Sequence, residues 1–156
     1  MLIRALTTAT LLAGAITAPA QATSTEICQP DHLAISMVRD AGQLPEIDGH
    51  LAITNTGAQA CALTGDPALR LILSNGQPTE TTVLHDLRPV EGATNLNPGS
   101  PFAIPMMWQG GPDSINGPTP VPTQLEVTFP GQPAKTVPWK HSSVWQNQLE
   151  VAPLHS

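Results

Sequence analysis

Proline is what most restricts the fold of this chain. Seventeen prolines are spread along 156 residues, and each locks φ near about −65° and removes a backbone N–H donor. Beyond Pro19 they recur so evenly that few helices of ordinary length fit between them. What fits is short extended runs. Leu33, Ile35 and Met37 alternate with Ala34, Ser36 and Val38, and Leu51 and Ile53 alternate with His50, Ala52 and Thr54. This period of two marks strands with one apolar face. The same reading covers Ala68 to Leu73, Thr81 to His85, Phe102 to Trp108, Gln124 to Phe129, Thr136 to Trp139 and Trp145 to Val151. Turn-forming residues separate them: Asp40-Ala41-Gly42, Asn55-Thr56-Gly57, Ser74-Asn75-Gly76, Asn97-Pro98-Gly99 and Pro130-Gly131. About seven or eight short strands at roughly ten-residue spacing predict an all-β sandwich.

The N-terminus reads as an export signal. Met1 to Arg4 carry one positive charge, Ala5 to Ala18 carry none, and Pro19 then leads into Ala20-Gln21-Ala22, whose small residues suit a signal peptidase. Residues 1–22 are therefore expected to be removed, leaving 23–156 as a single domain. The uncharged stretch is shorter than the roughly 20 apolar residues of a membrane span, so no span is expected after processing. Cys28 follows Thr25-Glu26-Ile27, which lacks the small residue that precedes a lipidated cysteine. The processed chain is expected to be secreted, periplasmic or extracellular.

Without Arg4 the chain keeps five Lys and Arg against twelve Asp and Glu. The few cations, Arg39, Arg70, Arg88, Lys135 and Lys140, are scattered, whereas nucleic-acid binding needs them clustered to displace counterions. Nucleic acid is not an expected partner. Cys28 and Cys61 both lie in the exported part, where the compartment oxidises thiols, so they are expected to form a disulfide.

Several elements together resemble a known family. They are Cys28, Leu33-Ala34-Ile35, Leu51-Ala52-Ile53-Thr54-Asn55-Thr56-Gly57, Cys61-Ala62-Leu63-Thr64-Gly65-Asp66-Pro67, Leu96-Asn97-Pro98-Gly99-Ser100 and the closing Leu149-Glu150-Val151-Ala152-Pro153. The pattern resembles DUF4232, a family of secreted bacterial domains of unknown function, across nearly all of the processed chain. The resemblance implies an immunoglobulin-like β-sandwich at or outside the cell envelope and transfers no catalytic residue. In the Cys-x-Leu-x-Gly-x-Pro element, Leu63 is expected to point inward, Gly65 to take a positive φ, and Pro67 to launch the strand from Ala68. Asp66, where the family often has Tyr, is expected to be exposed. A second cysteine pair carried by many members is missing here.

The remaining candidates for chemistry are few. Ser100 sits in Asn-Pro-Gly-Ser-Pro rather than in a nucleophile elbow, and Glu46 and Asp48 read as a solvated strand edge. No catalytic residue and no cofactor is expected. His32, His50, His85, His141 and His155 with Met37, Met106 and Met107 supply soft ligands that would suit copper, but nothing in the sequence brings them together, and alternation places Met37 and one of Met106 and Met107 in the core. Trp108, Trp139 and Trp145 are expected mainly as core bulk, with a binding platform as the alternative. The segment Gly110 to Pro122 is rich in Gly and Pro and reads as a long exposed loop. The expected function is that of a non-catalytic binding module with an unknown envelope or extracellular partner. A periplasmic copper-binding protein is the alternative.

Overall fold

The computed structural model describes residues 25–40, 42, 45–90, 95–110 and 120–154. The expected leader 1–22, most of the 110–122 loop and His155 lie outside them. The fold is mostly β. Eight strands of three residues or more occur among the described residues: β2 (Leu33–Arg39), β3 (Glu46–Asn55), β5 (Ala68–Ile72), β6 (Thr82–Leu84), β8 (Pro101–Gln109), β9 (Gln124–Thr128), β10 (Lys135–Pro138) and β11 (Gln148–Val151). Three two-residue strands, β1 (Glu26–Ile27), β4 (Cys61–Ala62) and β7 (Asn95–Leu96), add a small sheet that alternation cannot reveal, because two residues have no period.

One layer of the sandwich is the sheet β2-β3-β8-β11-β6, the other the antiparallel sheet β10-β9-β5. In the first, β2, β3, β8 and β11 run antiparallel in sequence, and β6 joins β11 in parallel. The inner face of the large sheet carries Leu33, Ile47, Leu51, Ile53, Ile104, Met106, Trp108, Leu149 and Val151. Leu69, Leu71, Leu125, Val127 and Val137 face them from the smaller sheet, and all are buried. Burying each such side chain contributes about 1.5–3 kcal/mol. This is the alternation expected of two packed sheets.

Two strand positions need a local explanation. Pro105 stands inside β8, a central strand, although proline cannot donate to a ladder. Its carbonyl accepts from the Ala152 N–H at 3.0 Å, so its nitrogen faces the same side, just past the end of β11 at Val151, and the one bond it cannot donate falls at the margin of that pairing. Gly49 in β3 is required by close approach. A Cβ there would lie 2.6 Å from the Val38 carbonyl oxygen and 2.9 Å from both the Met37 methyl and the Trp108 ring.

One sequence expectation changes here. Trp145 to Val151 is not one strand: Trp145–Asn147 form a 3-10 turn with Gln146 and Asn147 both at φ 53°, and extension begins at Gln148. A left-handed pair cannot continue a ladder. Glu46 and Asp48 share an exposed face as expected: they pair with Gln109 and Met107 of β8, while the β2 pairing ends at Arg39 opposite Gly49 and adds only the Asp40 N–H donated to the Asp48 carbonyl at 2.9 Å.

Candidate functional site

The sandwich is closed in different ways at the two ends of β3. At its C-terminal end Cys28 and Cys61 are disulfide-bonded, and the Cys28 N–H donates to the Ala62 carbonyl at 2.9 Å. Asn55 is 1% exposed and its amide is fully engaged: Nδ2 donates to the Gln59 and Leu96 carbonyls at 2.7 and 3.0 Å, and Oδ1 accepts from the Gly57 N–H at 2.9 Å. One side chain thus holds the β3–β4 turn against β7. Sequence reasoning took Asn55 for a turn residue and missed this role. Leu63 is 1% exposed, Pro67 is buried, and Gly65 has φ 68° with the Pro130 ring 2.9 Å from where a Cβ would sit. Asp66 departs from expectation. It is half-buried, and its Oδ1 accepts from the Leu154 N–H at 2.6 Å, tying the motif to the C-terminal segment.

At the opposite end three rings pack together. Trp108 and Trp139 have centroids 5.0 Å apart, and His141 lies 5.4 Å from the first and 5.0 Å, edge-on, from the second. The Trp139 Nε1–H donates to the Ser142 carbonyl at 3.0 Å. Trp108 Nε1, His141 Nε2 and Ser142 Oγ are buried without a partner among the described residues. Burial, and next the Arg39 guanidinium, lower the His141 pKa below its ordinary value and favour the neutral imidazole.

The third tryptophan does not join them. Trp145 is 41% exposed, because the turn that interrupts the expected strand carries it out of the core. With Met107 and Gln109 of β8, Gln148 and Glu150 of β11 and Glu46 of β3, it lines a pocket of about 70 Å³ that Trp108 also borders. The cross-strand register explains the grouping. Met107 is opposite Glu150 on one side and Asp48 on the other, and Gln109 is opposite Glu46. Met106 is buried at 2% on the inner face, which leaves Met107 on the outer one. The two ion pairs among the described residues, His50 with Asp40 at 2.8 Å and Arg70 with Glu126 at 3.7 Å, involve none of the pocket carboxylates.

The other residues singled out from the sequence are dispersed. His32 and His85 are exposed, His50 pairs with Asp40 on the surface, Met37 is half-buried beside Gly49, and among the described residues no three His, Cys, Asp or Glu side chains converge on a metal position. Ser100 is exposed, and its N–H closes a turn onto the Asn97 carbonyl at 3.2 Å. A second depression, of about 260 Å³, lies around Ile27, His32 and the Gly57–Ala60 turn. The buried polar group there is the Asn55 amide, which already serves the fold. No helix among the described residues is long and apolar enough to cross a membrane.

A disulfide-tied β-sandwich with one exposed tryptophan over a small acidic pocket is the class that fold and site define. The family model described as "Domain of unknown function (DUF4232)" matches residues 28–155, and the chain belongs to that family. Comparison with curated proteins and with solved structures finds no match.

Proposed function

We propose that the chain is an exported, non-catalytic, immunoglobulin-like recognition domain of the cell envelope that binds through the Trp145 pocket. The exposure of Trp145 beside the half-buried Met107 carries this reading. A large aromatic left in solvent next to an apolar floor, with polar groups around it, has the composition of a binding hot spot. The two other tryptophans are buried and serve the core. Export is supported by the leader pattern of residues 1–22 and by the Cys28–Cys61 disulfide, which suits an oxidising compartment. The reading assigns no catalytic step.

Cosedimentation of the purified processed protein with isolated cell-wall material tests it. Saturable association that Trp145→Leu abolishes, with the thermal melt unchanged, is the expected result. Association equal in both proteins, or none, would remove the pocket from the function.

A further inference from the structure

We propose that the Trp145 pocket receives the primary ammonium group of an alkylamine, the ammonium held by Glu46 and Glu150 and the alkyl stem lying along Trp145 and Met107. This rests on the reading that the pocket is the binding face, and it adds the ligand class.

The walls supply acceptors of two kinds. Glu46 and Glu150 bring carboxylates, and Gln109 and Gln148 bring amide carbonyls, all from adjacent strands of the outer face. A primary ammonium carries three N–H donors and no acceptor, so it can use several of these groups at once. Among the described residues no Lys, Arg or His lines the pocket, and neither ion pair engages its carboxylates. No described residue compensates their charge, in a chain whose formal charge is already −6. An anion would be repelled. The apolar contribution is equally particular: an exposed indole face attracts a cation through its quadrupole, and the Met107 thioether offers a flexible, polarizable surface to a methylene chain. Size completes the argument. About 70 Å³ admits a head group on a narrow stem, whereas an apolar cavity that holds a benzene ring measures about 150 Å³.

The acidic residues alone would be an ordinary solvated surface. The pocket differs because an exposed tryptophan, a thioether and two carboxylates meet there around a concavity, each matching a different part of one ligand.

Calorimetric titration of the processed protein with cadaverine and with Nα-acetyl-lysine amide, together with the Trp145 indole N–H shift by NMR, provides the test. 1-Pentanol and tetramethylammonium serve as probes that keep the stem or the charge alone. The expected result is saturable binding of at least one of the two amines, shifting the Trp145 indole and not that of Trp139. The tighter amine identifies the source as a free polyamine or a lysine side chain. Glu46→Gln with Glu150→Gln should weaken binding by about tenfold or more, as for lost charge-assisted bonds. Binding of pentanol or tetramethylammonium equal to the amines, an unchanged affinity in the double Gln variant, or no amine binding would overturn the proposal. If no amine binds while cell-wall association still depends on Trp145, the ligand class is wrong and the pocket reading stands; if that dependence is also absent, both fail.

Discussion

The two ends of β3 close the same sandwich by opposite means. Around Asn55 the closure is covalent and hydrogen-bonded: a disulfide, a buried amide with every N–H donated, and an N–H of the following turn returned to its oxygen. Around Gly49 it is steric: Trp108, itself packed against Trp139 and His141, lies over a glycine that leaves no room for a Cβ. The first arrangement satisfies its buried polar groups. The second leaves Trp108 Nε1, His141 Nε2 and Ser142 Oγ without partners among the described residues, and an unpaired buried polar group costs about 1–3 kcal/mol. Stability is therefore expected to be uneven along the sheet. The bonded end anchors the domain, and the aromatic end, beside which the Trp145 pocket lies, is the one able to yield.

Breaking the anchor should have the largest effect. Cys28→Ser with Cys61→Ser releases a link between residues 33 apart, and a loop of that size is worth about 3 to 4 kcal/mol in the chain-entropy model. Urea melts of variant and parent measure it; a loss under about 1 kcal/mol would mean that the bridge is incidental to the anchor. Asn55→Ala should come next, with a loss of about 2 to 4 kcal/mol, because the Gln59 and Leu96 carbonyls and the Gly57 N–H lose their partner together. The same melts check it, and a neutral result would show that water replaces the amide. At the other end Gly49→Ala inserts a methyl against the Val38 carbonyl oxygen and the Trp108 ring, for an expected loss of about 1 to 3 kcal/mol. Near-ultraviolet circular dichroism should register the displaced tryptophan. An unchanged spectrum with unchanged stability would show that the wedge is loose.

Much of the sandwich could be read from residues alone, because alternation at 33, 35 and 37, at 51 and 53 and at 125, 127 and 129 is a direct image of one buried face. The Cys28–Cys61 bond was legible from the export expected of the N-terminal pattern. Where the reading stopped, distance along the chain was the cause. Asn55 looks like any turn asparagine until its carbonyl partner at Leu96, 41 residues away, is in place, and Asp66 looks exposed until Leu154 arrives, 88 residues later. The pocket was illegible for a different reason. Alternation requires one of Met106 and Met107 to face outward but does not say which, and the left-handed turn at Gln146 and Asn147 that exposes Trp145 breaks a run whose residues otherwise suit a strand.

Amide hydrogen exchange at about pH 7.5 and about pH 5, on either side of the ordinary histidine value and corrected for intrinsic rates, tests the contrast between the ends most directly. The His141 pKa is lowered from 6.5 in the folded chain, so the unfolded chain takes up the proton first as pH falls. The stability held above 6.5 is then lost toward the folded value, at the end where the imidazole is packed. The expected result is faster acid exchange at the N–H groups of Trp139, bonded to Thr123, and Gly110, bonded to Pro45, with unchanged protection at Cys28, Thr56 and Gly99. Equal loss at both ends, or earlier loss around Cys28 and Gly99, would contradict the division into an anchored end and a yielding one.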